Sequence, residues 1–346
     1  MKNTINNQKT IEMKRQLLII AVMSLMVCAC QKDNQCRTCK ETKPVEVTVN
    51  ISGTSMTKST GNTYANESKV NNLQILAFNA DGVLENYRSV DNEMSVTLLS
   101  SSGEKTVWAI VNAPSLENVT SLEELGGTLS SLSDNGLDNF VMTGSVTEEL
   151  TDGAVIAITV KRLVARVSVA KITAAFADTP AFAGKTLKVT GIYMLNVAGA
   201  VNYALEGEPA LWYNQLYHED EVADAFLYDA LDQTVENNSS YEVEHTYYPY
   251  PNNVDTSVKD LDETVRGVWS PRRSILCIQV EYDGTPGYYP IELPVIERNK
   301  TYVIEEVVLT RAPGDKPYEP IDTGAATVSI TINDWELGLN LGTVTI

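Results

Sequence analysis

Residues 301–309 read TYVIEEVVL and residues 326–341 read ATVSITINDWELGLNL, and these two stretches decide the fold. In the first, Tyr302, Val303, Ile304, Val307, Val308 and Leu309 make a short apolar run, the pattern of a buried strand. In the second, Val328, Ile330 and Ile332 alternate with Thr327, Ser329, Thr331 and Asn333, as in a half-buried strand. Trp335, Leu337, Leu339 and Leu341 extend that alternation around Glu336, Gly338 and Asn340. Between the two stretches, Pro313-Gly314, Pro317 and Pro320 cannot continue a ladder. So strongly β-patterned an end needs a sheet to complete, its own or a neighbour's.

The same signals recur upstream. Ile275 to Tyr282 and Leu187 to Val197 have long strand patterns, and Leu163, Ala165, Val167 and Val169 alternate with Arg162, Val164 and Arg166 on the opposite face. Val107 to Val111 is continuous enough for a central strand, and Met94, Val96 and Leu98 alternate again. Val70 to Phe78 and Val83 to Tyr87 flank the turn Asn79-Ala80-Asp81-Gly82, a hairpin. Phe140 to Thr143 and Val155 to Val160 close a first domain. Leu116, Val119, Leu122 and Leu125 recur every three residues, and Ser121 with Glu124 fits a capping box. One short helix ending at Gly126-Gly127 is expected. Val45, Val47, Val49 and Ile51 alternate with Glu46, Thr48 and Asn50, a first strand. From Asn214 to Pro271 the periodicity fades, and elaborated loops are expected there. Short strands at regular spacing predict an all-β chain of two tandem β-sandwiches, over residues 45–160 and 161–346.

The first residues look like an export signal. Lys14-Arg15 precede an apolar core, Leu17 to Val27, which is too short to span a bilayer. The region ends Val27-Cys28-Ala29-Cys30, with a small residue just before Cys30, as in a lipobox. Residues 1–29 are then a lipoprotein signal peptide, Cys30 is the lipidated residue, and residues 30–44 are a polar tether. Cys36 and Cys39 form a lone C-x-x-C without the second ligand pair that a zinc site needs. Cys277 sits in an apolar strand and is expected to be a small core residue. Ser52 to Asn66 is a loop of Ser, Thr, Gly and Asn with one basic residue, Lys58, and loops of this kind are preferred sites of proteolysis.

Composition excludes several classes of function. The 346 residues carry 45 Asp plus Glu against 26 Lys plus Arg, a formal charge of −19, which repels phosphate backbones. Two histidines, His218 and His245, stand isolated from any nucleophile. Gly126-Gly127 lacks the Lys of a phosphate cradle. Glu219-Asp220-Glu221 and the acids of 260–263 read as solvated faces. Asp134 to Asp138 lacks the terminal Glu of a calcium loop and reads as a turn. No enzyme, cofactor or metal is expected. Tyr213, Tyr217, Tyr228, Tyr241, Tyr247, Tyr248 and Tyr250 either pack loops onto a sheet or form a platform for sugar rings.

Seven stretches carry a family resemblance: IERNKTYVIEEVVLTR, PGDKPYEPI and VSITINDWELG near the end, and upstream ESKVNNLQILAFNADG, VWAIVNAP, KRLVARVSVAKI and SILCIQVEY. Together they resemble the type V fimbrial subunits, the fimbrillin family of lipoprotein-derived pilins, over most of the chain after Val45. The resemblance implies two transthyretin-like sandwiches and a precursor lipidated at Cys30. It also implies a first strand, Val45, Val47, Val49 and Ile51, that proteolysis excises. Better-known members are cut at an Arg; the matching residue here is Lys58. The implied donor strand, which refills a neighbour's groove, carries Leu337, Leu339, Leu341, Val344 and Ile346. Partners are then other copies or related fimbrial subunits, outer-membrane lipid before processing, and a processing protease. The expected location is the cell outer membrane, then the extracellular fimbrium. The alternative is a monomeric or tip lipoprotein adhesin with a host or glycan receptor.

Overall fold

Strands that alternate in sequence have one wet face, and strands that are continuously apolar are covered on both. That distinction sorts the layers of the fold. The computed structural model describes residues 42–52, 67–179, 182–215, 227–257, 270–318 and 326–335. The expectations for Cys30, Lys58, Leu337, Leu339, Leu341, Val344 and Ile346 lie outside the described residues, as do those for His218, Tyr217, Cys36 and Cys39.

The first nine strands are β1 (Pro44–Ser52), β2 (Asn72–Phe78), β3 (Leu84–Asp91), β4 (Ser95–Ser101), β5 (Gly103–Val111), β6 (Leu129–Ser131), β7 (Met142–Leu150), β8 (Ala154–Thr159) and β9 (Lys161–Arg162). β1 lies between antiparallel β4 and parallel β8 in a three-stranded sheet. The facing sheet has the order β3-β2-β5-β7-β9. Val45, Val47, Val49, Ile51, Val96, Leu98, Ile156 and Ile158 from the small sheet meet Leu73, Ile75, Val107 and Ala109 from the large one. The large sheet is covered on its other face too. There Leu76, Phe78 and Ile110 share a cluster with Leu116, Val119 and Leu125 of the β5–β7 excursion. Hence β2 reads NLQILAF with everything from Leu73 to Phe78 buried, while β1 alternates. Gln74 is the one polar residue among the six buried ones. Its amide donates to the carbonyls of Ala113 and Pro114, each at 3.0 Å, and its oxygen accepts from Leu116 N–H at 2.8 Å, which fastens the excursion to the sheet.

The expected helix is α1 (Leu122–Gly127), capped by Ser121, whose hydroxyl accepts from the Glu124 N–H at 3.1 Å. The box is only half formed. Glu124 reaches past the cap to accept from the N–H and hydroxyl of Thr120, each at 2.8 Å, and those bonds hold its carboxyl below the usual range.

The remaining strands are β10 (Arg166–Val169), β11 (Ile172–Ala174), β12 (Leu187–Leu195), β13 (Val197–Asn202), β14 (Leu211–Tyr213), β15 (Tyr228–Val235), β16 (Ser239–Tyr241), β17 (His245–Tyr247), β18 (Ile275–Tyr282), β19 (Thr285–Glu292), β20 (Lys300–Leu309) and β21 (Ala326–Asp334). β20 is the spine of one sheet: β10 and β11 follow each other along one side, both parallel to it, and β21 runs antiparallel along the other. β17 and β16 continue outward from β10 and β11. The facing sheet is β15-β12-β18-β19. Val167, Ile172, Tyr302, Ile304 and Val307 pack against Val189, Ile192, Met194, Leu276 and Ile278 between them. A small sheet, β14-β13-β6, joins the excursion of the first sandwich to the second.

The stretch from Asn214 to Pro271 departs from expectation, for it holds β15, β16 and β17 as well as connections. These strands pair on one flank with β12, β11 and β10. β15 reads YDALDQTV, with only Val235 buried, so burial leaves no apolar period to find.

Candidate functional site

The four alternating residues of β1 are all buried, with Val47 and Val49 fully so. Their strand is central in its sheet. Seven residue pairs run from Pro44↔Ser101 to Asn50↔Ser95 on the β4 side, and six from Val47↔Ala154 to Ser52↔Thr159 on the β8 side. Both ends are fastened: Ser102 N–H donates to Lys43 at 2.7 Å, Ile51 N–H to Met94 at 2.9 Å, and Val160 N–H to Ser52 at 2.9 Å. The Glu46 N–H donates to the Asp152 carboxylate at 3.0 Å. β7 passes so close to the end of β8 that a Cβ on Gly144 would lie 2.3 Å from the Thr159 carbonyl. Only glycine fits there.

Removing β1 therefore opens a slot with a free ladder on each side and an apolar floor. Its four side chains are worth ~1.5–3 kcal/mol each on burial, so the slot forfeits about 6–12 kcal/mol. That is comparable with the ~5–15 kcal/mol by which whole domains are stable. β1 is joined to the strands that follow it through Ser52, so one cut between β1 and β2 severs its covalent link to the rest of the sandwich.

A second constellation, which sequence reasoning missed, lies where the chain crosses from β9 to β10. Glu67 is buried at 5% exposure. Arg166 Nη1 donates to its two carboxylate oxygens at 3.2 and 3.1 Å, the Tyr248 hydroxyl to Oε1 at 3.0 Å, and the Trp335 indole N–H to Oε2 at 2.7 Å. Arg162 Nε donates to the Glu67 carbonyl at 3.0 Å, and its guanidinium carbon sits 4.6 Å over the Trp335 ring. Tyr248 stacks on Trp335 at 5.9 Å between centroids, and Phe140 meets it edge-on at 5.6 Å. Arg298 reaches from the turn before β20 to the Arg162 carbonyl at 3.1 Å and to Thr143 Oγ1 at 3.1 Å. Burial lowers its pKa to about 10. In sequence each of these residues is one charge or ring among many. The only signal was that Arg162 and Arg166 interrupt an apolar run.

The other expectations resolve into packing. Tyr247 and Tyr250 are buried, Tyr248 belongs to the Trp335 stack, and Tyr228 covers Gly191, whose Cβ would stand 2.8 Å from the ring. These tyrosines fill the fold rather than pave its surface. His245 Nδ1 bonds Asp229 at 2.7 Å and its Nε2 the Tyr241 hydroxyl at 3.0 Å, tying β17 to β15; the bond to His245, helped by that from Tyr247, holds the Asp229 carboxyl below its usual range against the opposing effect of burial. Asp134 Oδ2 accepts from Ser131 N–H at 2.9 Å, as in a turn. Cys277 is buried and free, its thiol pushed up to about 12 by burial. Among the described residues no group of three or more His, Cys, Asp or Glu could hold a metal.

Residues 44–162, from the first residue of β1 to the last of β9, match the family model for major fimbrial subunit protein (FimA). No curated protein sequence matches the chain. A fimbrilin from Porphyromonas gingivalis is 16% identical over 84% of this chain and 97% of its own, with a TM-score of 0.60. A candidate cell adhesion protein from Bacteroides eggerthii is 15% identical over 85% and 96%, also at 0.60. The tip fimbrial protein Mfa3 from Porphyromonas gingivalis, with C-terminal truncation, is 12% identical over 85% and 100%, at 0.52. At such identities the likeness is one of fold, that of tandem β-sandwiches.

Proposed function

We propose, from the premise that the N-terminal sandwich belongs to the fimbrial subunit family, that this chain is a structural subunit of a surface fimbrium that polymerises by exchanging strands. The observation that carries the reading is the position of β1: the first strand of the sandwich, central in its sheet, with four buried side chains and one covalent link to the strands that follow. Cutting the loop beyond it at Lys58 frees β1 and empties the slot. The refilling strand is the end of a neighbour's chain, in which Leu337, Leu339 and Leu341 have the same period of two as β1. Val344 and Ile346 have the opposite parity, so they reach the same face only across a bulge near Gly342.

The processing step is tested by finding the N-terminus of subunits in surface filaments by mass spectrometry. Residue 59 is expected, with β1 absent. A start at residue 38, which Arg37 cleavage would produce, leaves β1 in place and overturns the scheme.

Before processing the precursor is held at the outer membrane through acylated Cys30. A single chain, at ~0.8 kcal/mol per buried CH₂, holds a protein only marginally, whereas two or three hold it stably. Cys30→Ala is expected to abolish labelling by a fatty-acid probe and to release the precursor or leave it unprocessed. Labelling that persists in the variant refutes the assignment.

A further inference from the structure

We infer that the Glu67 cluster is a latch that fixes the point from which the donor segment leaves the fold. The inference rests on the donor-strand reading above and adds to it the residues that aim the strand. Trp335 stands two positions before Leu337, and Glu67 stands nine positions after Lys58. A single carboxylate therefore holds the base of the donor segment and the beginning of the processed chain together.

The neighbouring strand cannot do this alone. Among the described residues β21 is an edge strand, laddered only to β20, with Ile332 48% exposed. Its last pair, Lys300 with Asp334, is an exposed ion pair of the kind that contributes little. Strand ends of that kind open locally at small cost. Beyond them Trp335 is 7% exposed, its backbone N–H donates to Asn299 at 3.1 Å, and its indole N–H donates to Glu67. The ring is clamped between Arg162, Tyr248 and Phe140. Arg162 is three residues beyond Thr159, the partner of Ser52, so the latch sits close to the end of the β1 slot. Thus the donor leaves from a rigid point beside the slot, and the geometry between successive subunits is set there.

The test is hydrogen exchange of the full precursor, with filament assembly after processing as a second readout. Trp335→Phe keeps a ring in the stack but removes the indole donor, and Glu67→Gln keeps the shape but removes the charge. Loss of one hydrogen bond to a charged group corresponds to about 10- to 100-fold faster exchange, here confined to residues 326–335. Filament yield is expected to fall with it, while cleavage of the loop proceeds at the normal rate. If Glu67→Gln does not fold, Tyr248→Phe removes one bond from the same carboxylate and is expected to give a smaller change in the same residues. Unchanged exchange in Trp335→Phe overturns the latch. So does a loosened β21 with normal filaments. Failure of the donor reading is separate: it shows as normal filaments from a chain lacking residues 337–346, whatever the exchange result.

Discussion

A chain cut back to Glu336 is expected to fold, reach the surface and undergo processing, yet form no filaments. The truncation leaves β20, β21 and Trp335 untouched, and with them the described core of the second sandwich. It removes Leu337, Leu339 and Leu341, three side chains worth ~1.5–3 kcal/mol each on burial, or roughly 5–9 kcal/mol before the cost of ordering the strand. Without them the slot of the next subunit stays empty. Electron microscopy of surface filaments and a thermal melt of the purified, unprocessed precursor, which keeps β1, measure the two halves of the expectation. A collapsed thermal transition means that these residues complete their own sandwich. Filaments of normal length would falsify the donor assignment outright.

The second large effect is expected in a chain lacking residues up to Lys58. Such a protein has β4 and β8 without a strand between them, and loses four buried side chains worth about 6–12 kcal/mol. Its first sandwich should be unfolded or nearly so at room temperature, while β20 and its partners persist. Adding a peptide of residues 337–346 should restore the missing transition, because a ligand at 100 times its Kd stabilises the folded state by ~2.7 kcal/mol. The same peptide with Leu339→Asp should not, since it sets an unpaired charge on an apolar floor. Calorimetry with and without peptide decides the matter. An unchanged melt in the shortened chain would show that β1 is dispensable and that no slot needs filling.

The alternation of Val45, Val47, Val49 and Ile51 predicts a strand with one buried face, and the continuity of Leu73 to Phe78 predicts one covered on both sides; each is a property of a few neighbouring residues. By itself, therefore, the sequence determined that the chain is all-β, with two sandwiches and a helix capped at Ser121. Only the tertiary structure decided which strand lies between which. β1 is central because residues 95–101 and 154–159 flank it, about 50 and 105 positions along the chain, and nothing within β1 encodes that choice. β15 and β16 were illegible for the converse reason, since a strand with few buried side chains carries no apolar period however well its backbone is paired, and β17, with His245 and Tyr247 buried, is only three residues long, too short to show one. The Glu67 latch is the extreme case. A carboxylate next to a polar loop looks solvated until Trp335, 268 positions away, donates its indole proton to it, and burial of that charge depends on partners the local chain does not contain.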